Sequence, residues 1–134
     1  MRSTKRLKNI LAAWLLSLIT AGNANANEWY VSGVRSVYSA RLADALAYCR
    51  NAQGDGDDWL NYYLLAFGVN QKTKDLHLSL PQKLRTERAQ ELIGSTMSCD
   101  EMMQKEKEYG VKWFIPNAID AYIKGFCEVN PKCK

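Results

Sequence analysis

Four cysteines, Cys49, Cys99, Cys127 and Cys133, constrain this chain more than any other feature, and no Cys-x-x-Cys occurs among them. An even count without metal-ligand spacing reads as two disulfides in an oxidising compartment. In a reducing one the same residues would be four buried thiols. The N-terminus chooses between these readings. Arg2, Lys5, Arg6 and Lys8 open the chain, no acidic residue precedes Glu28, and an apolar run extends from Ile10 to Ala21. Ala24-Asn25-Ala26 follows, the small-x-small pattern behind which signal peptidase cuts. An apolar stretch of about twelve residues is short against the roughly 20 that a membrane-spanning helix needs. The sequence therefore predicts a cleavable signal peptide over 1–26 and a single domain over 27–134, exported and free of the membrane after cleavage. No cysteine lies near the cut, so a lipid anchor is not expected.

Export also changes the charge. All four basic residues of the signal leave with it. Of the 18 Lys and Arg and 14 Asp and Glu in the whole chain, 14 of each sign remain in the domain. A neutral domain offers no basic field for nucleic acid, and none is expected as a partner.

Hydrophobic spacing predicts an all-α bundle of four or five helices. Asn27 to Val37 is mixed, and reads as either an extended arm or loop. Leu42, Ala45, Leu46 and Cys49 recur at helical spacing over about 39–51. Gln53-Gly54-Asp55-Gly56 breaks that helix. Asp57 and Asp58 suit the start of the next, where carboxylates accept bonds from free N–H groups. A calcium loop is rejected there, because Ala66 and Phe67 stand where an EF-hand needs its glutamate.

A helix over about 58–71 carries Trp59, Tyr62, Tyr63, Ala66 and Phe67 on one stripe, with Leu60 and Leu64 beside it. So wide an apolar girth places it in the middle of the bundle, with Trp59, Tyr63 and Phe67 buried. An aromatic ligand pocket is the competing reading. Lys72 to Lys74 reads as a turn, and Leu76 to Leu80 alternates like a short strand without a partner. Pro81 suits the first turn of a helix running to about Gly94. Ser98 and Glu101 form a capping box for a helix that Gly110 ends near Tyr109. The last helix spans about 116–127, with Ile119, Tyr122, Ile123 and Phe126 on one face.

With these helices alternating up and down, all four cysteines gather at one pole. Two pairings are then sensible. Cys49–Cys127 with Cys99–Cys133 joins first and last helices and is favoured; Cys49–Cys99 with Cys127–Cys133 is the alternative. The segments 53–58 and 130–134 at that pole are the candidate contact surfaces.

Catalytic groups are scarce. His77 is the only histidine, no Cys–His couple survives pairing, and a lone histidine in an alternating segment reads as a surface or half-buried residue. Gln104 to Glu108 reads as a solvated helix face, which argues against a buried acid of raised pKa at Glu106 or Glu108. No cofactor motif and no metal spacing occur. These features predict a binding protein without turnover of its own.

Three features carry a resemblance to a known family. They are a helix ending Leu46-Ala47-Tyr48-Cys49, a Tyr-x4-Gly-Val step from Tyr63 to Gly68 and Val69, and a closing helix ending Phe126-Cys127. In these the chain resembles the periplasmic immunity proteins of the Tai/Rap kind, which block peptidoglycan amidases delivered by type VI secretion. It departs from them at Asp58 and Trp59, where a cysteine would be expected, and in the tail from Val129 to Lys134. The resemblance implies a periplasmic inhibitor whose partner is another protein, a peptidoglycan hydrolase. It implies no contact residues, and a homodimer stays open. An acid-stress chaperone, also small, helical and disulfide-stapled, is the alternative.

Overall fold

The computed structural model describes residues 11–52 and 59–134. It is all-α, with six α-helices among the described residues and two disulfides. They are α1 (Leu11–Ala52), α2 (Trp59–Ala66), α3 (Gln71–Leu78), α4 (Gln82–Thr96), α5 (Cys99–Tyr109) and α6 (Ala121–Val129). A 3-10 turn (Val111–Trp113) and a π-helical turn (Ile115–Asp120) join α5 to α6, and a second 3-10 turn (Pro131–Cys133) follows. The break at 53–56 and the capping by Asp57 and Asp58 fall outside the described residues, and so does the candidate contact segment 53–58.

The middle of the molecule belongs to α1, not to the aromatic helix α2. Tyr38, Ser39, Ala40, Leu42, Ala43, Ala45, Leu46, Ala47 and Cys49 are all buried. Such a run covers well over half the circumference of a helix, leaving only the arc of Val37, Arg41, Asp44 and Tyr48 less than buried, which requires neighbours on most sides. The alanines at 40, 43, 45 and 47 leave room for those neighbours to approach closely. α2, α3, α4, α5 and α6 all pack on α1. By contrast α2 buries Tyr63 and Leu64 but exposes Tyr62 and Leu65. Of its three expected core aromatics only Tyr63 is fully buried; Trp59 and Phe67 are half-buried against the core.

Two local readings are corrected. Asn27 to Val37 is neither arm nor loop: it is helical and continuous with the rest of α1. The polar 72–74 turn and the alternating 76–80 segment are α3 and the turn after it. Asn70 caps α3, its side chain accepting a bond from the Thr73 N–H at 2.8 Å. The alternation does not make a strand because its leucines are the exposed positions, Leu76 and Leu78, while His77 is buried. Elsewhere the punctuation holds. Pro81 precedes the first residue of α4, Ser98 and Glu101 form the full capping box of α5, and Gly110 ends α5 at φ +91°.

The cysteine arrangement differs most from expectation. Cys49 pairs with Cys99 and Cys127 with Cys133, so the favoured pairing is overturned and the alternative is the one formed. Nor do the cysteines share a pole. Tyr38 stacks on Tyr122, and Tyr30 on Phe126, so α6 runs antiparallel to α1 and ends beside the start of the described side chains. There the Asn130 side chain donates to the Tyr30 hydroxyl at 3.0 Å, and the Lys132 ammonium lies 5.9 Å from the Tyr30 ring centre. Tyr30 and Cys49 are 19 positions apart on one helix, about 28 Å along its axis. Strict up-down alternation assumes helices long enough to cross the bundle. α2 and α3 have eight residues each, about 12 Å, so their order in the chain does not decide which way α6 runs.

Candidate functional site

Two largely buried polar clusters hold His77 and Glu106, the residues that the sequence argued against as catalytic groups. In the first, α1 supplies Asp44, α3 His77 and α4 Arg85. One Asp44 oxygen binds His77 Nε2, and the other accepts from Arg85 Nη1 at 3.3 Å. The His77 and Asp44 side chains are 8% and 11% exposed, so the imidazole faces protein, not a cleft. His77 is thus more deeply buried than its sequence context predicts. In the second cluster Arg50, Tyr63 and Glu106 close a triangle. The Tyr63 hydroxyl donates to Glu106 at 2.5 Å, Arg50 Nε donates to the Tyr63 oxygen at 3.1 Å, and Arg50 Nη2 reaches Glu106 at 3.0 Å. Burial, and then the adjacent Glu106 carboxylate, hold the Tyr63 phenol well above the ordinary tyrosine range.

Glu106 corrects a second expectation. It sits within the lysine- and glutamate-rich stretch 104–108, yet its side chain is only 9% exposed. Charge density along a helix marks the solvated face only on average; Glu106 falls on the side turned to α1, where Arg50 and Tyr63 neutralise and bind it. The signal available was spacing: Cys99, Met102, Met103 and Glu106 stand at i, i+3, i+4 and i+7, a single helical stripe that Glu108 does not share. Both clusters tie α1 to its neighbours, and Arg50 and Glu106 of the second also line an open pocket of about 700 Å³ beside Tyr62 and Val111.

A groove on the opposite half of the molecule has a different character. It has a volume of about 910 Å³ and is open to solvent along one side. Three helices line it, each with one face. From α1 come Tyr30, Val34, Val37 and Arg41, spaced as a single helical stripe; from α3 come Lys72 and Leu76; from α6 come Tyr122 and Phe126. Trp29 stands at its edge, 80% exposed, and Val37, Leu76 and Tyr122 are also exposed. Gly33 lines the groove at an exposed position, and a Cβ built there meets nothing within 4 Å. The deepest aromatic, Tyr38, is stacked on Tyr122 at 3.8 Å between ring centres. Burial, with the Tyr122 phenol beside it, pushes the Tyr38 hydroxyl up to about 12.

The polar features of this groove are asymmetric. Its charged lining residues are Arg41 and Lys72, both cations. Arg41 Nε is buried without a hydrogen-bond partner among the described residues. Leaving a buried donor unmade costs about 1–3 kcal/mol, more for a charged group. Such groups persist where water, an ion or a ligand completes them.

The four cysteines, singled out as the site residues of the sequence, are structural, and they brace the two ends of the molecule. Among the described residues no His, Cys, Asp and Glu cluster has the makeup of a metal site. No described helix is long and apolar enough to cross a membrane. Sequence reasoning missed the groove because half of it lies in 27–37, which shows no clean periodicity. The signal available was the spacing of Tyr30, Val34, Val37 and Arg41. Comparison with known proteins finds no matching family model, no matching curated protein and no matching solved structure.

Proposed function

We propose that this protein is an exported binding module that blocks a cell-wall-degrading enzyme by stoichiometric association. The observation that carries the reading is the open aromatic groove, presented by three helices of a scaffold cross-linked at both ends. Exposed aromatic side chains beside buried ones, with a cation left over, suit recognition of another protein: aromatics and arginine dominate the energetic centres of interfaces. A braced scaffold loses little conformational freedom on binding, which favours affinity from a modest contact area. The identity of the partner as a peptidoglycan hydrolase rests on the resemblance carried by Tyr48-Cys49, the Tyr63-to-Gly68 step and Phe126-Cys127. Export to the periplasm rests on the 1–26 signal, and two disulfides accord with an oxidising compartment.

The test is a titration of a hydrolase encoded beside this gene against the purified mature protein at neutral pH. Inhibition saturating at an equimolar ratio supports the reading, and full hydrolase activity at a large excess of this protein overturns it. Binding that appears only below about pH 4, where carboxylates begin to neutralise, would favour the chaperone alternative. Release of product from peptidoglycan by this protein alone would exclude both.

A further inference from the structure

We propose that the groove takes an acidic segment of the partner protein, seating a Glu or Asp carboxylate on Arg41 and an adjacent aromatic side chain against Tyr122 and Phe126. This deepens the binding function proposed above and rests on it.

Charge complementarity selects the occupant. The charged groups facing the groove, Arg41 and Lys72, have one sign, whereas the other clusters on α1 pair every cation with a carboxylate: Arg35 with Asp120, Arg50 with Glu106 and Arg85 with Asp44. Arg41 is thus the arginine of this helix that finds no acid among the described residues, and its Nε is already desolvated. A guanidinium presents a planar fork that matches a carboxylate in a two-bond pairing. A neutral amide offers one acceptor in place of two and no charge, and a lysine side chain would be repelled. The apolar half of the occupant follows from the other walls. Tyr122 and Phe126 are stacked at 6.1 Å along α6, and Leu76 faces them from α3 with more than half of its surface exposed. These surfaces suit an aromatic ring better than a polar side chain. A cavity of about 910 Å³ is roomy enough for two or three side chains but not for a folded domain, so a protruding segment is the part that enters.

The experiment uses the full mature protein and two capped probes, N-acetyl-Phe-Glu-Phe-amide and the same peptide with Gln in place of Glu. Binding is followed by ¹⁵N NMR at the Arg41 Nε–H and the Trp29 indole N–H. The Glu peptide is expected to shift both resonances and to bind at least about tenfold more tightly than the Gln peptide, the discrimination of one charge-assisted hydrogen bond. Arg41→Gln should erase that preference. Gly33→Phe, which puts a ring into open space at the groove wall, should abolish binding of both peptides while leaving the melting temperature in place. Equal binding of the two probes, or no binding of either, overturns the proposal. So does a wild-type dimer that Gly33→Phe converts to monomer, since a second copy would then be the occupant. The hydrolase titration separates the two levels. Loss of inhibition in Arg41→Gln and Gly33→Phe supports the groove. Undiminished inhibition by both variants overturns the groove while sparing the inhibitor reading, and absent inhibition by the wild type overturns that reading itself.

Discussion

The two halves of α1 use the same residue types to opposite ends. Around Cys49, one arginine, one tyrosine and one glutamate satisfy each other, with Trp59 covering Arg50 at 4.2 Å from its ring centre. Around Arg41, one arginine and several aromatics line a space that no described residue fills. Tyr63, stacked on Phe67, is fully buried, whereas Tyr122, stacked on Tyr38, is 38% exposed. The difference teaches how to separate structural from functional polarity in a small helical protein. A set whose members bond one another contributes to folding, while a buried donor left unmade costs stability and keeps capacity for a partner.

The largest effect should come from truncating the same kind of ring in each half. Tyr63→Ala removes a fully buried aromatic, and should cost about 3–5 kcal/mol in chemical denaturation. Trp29→Ala, at an exposed position, should stay within about 0.5 kcal/mol. Equal costs would break the contrast between a packed half and an open one.

Next come the disulfides. Cys49–Cys99 closes a separation of 50 residues and Cys127–Cys133 one of 6. In the chain-entropy account their removal costs about 4 and about 2 kcal/mol. Replacing each pair by alanines and comparing denaturation midpoints checks the order. Peptide mapping of the native protein should return these two pairs with no free thiol.

Breaking the closed triangle should cost less than emptying the core. Glu106→Gln leaves Arg50 and Tyr63 partly unsatisfied and should cost about 1.5–3 kcal/mol, while Arg41→Gln, which removes a buried donor already without a partner, should cost no stability. A pH dependence accompanies it. Tyr63 is held protonated in the folded state, so its contribution is complete below the ordinary tyrosine pKa of about 10 and falls as pH rises above that value. Tyr38 acts in the same direction. Tyr63→Phe should therefore flatten the alkaline decline in stability, and Tyr38→Phe should flatten what remains. A decline unchanged in both variants would dissociate it from these rings.

A smaller loss should come from the cap of α5, beside the Cys49–Cys99 bond. Ser98→Ala removes the cap that accepts from the Glu101 N–H at 3.2 Å, with an expected cost of about 1 kcal/mol. The exposed Glu101 carboxylate is held below its usual range, chiefly by the Ser98 backbone N–H and then by its hydroxyl. That contribution is present above the ordinary glutamate pKa and is lost as pH falls through the lowered value. Acid titration of Ser98→Ala against wild type reads it directly.

What the sequence determined by itself was local: the all-α class, the capping box at Ser98 and Glu101, the stop at Gly110, the start after Pro81 and the burial of Tyr63. Each depends on bonds or periodicities within a few residues, so neighbours in the chain suffice to specify it. Its misreadings have one cause as well. The α3 segment alternates because a buried His77 sits between exposed leucines, and only the pairing with Asp44, 33 residues away and itself held by Arg85, makes that position an inward one. Tertiary structure alone decided that α1 is the central helix, that α6 runs antiparallel to it, and hence that Cys127 lies about 28 Å from Cys49 along the helix axis and pairs with Cys133. It also decided which arginines meet a carboxylate. Arg41, Arg50 and Arg85 are alike in sequence; long-range packing brings Glu106 to one and Asp44 to another, and leaves Arg41 facing the groove.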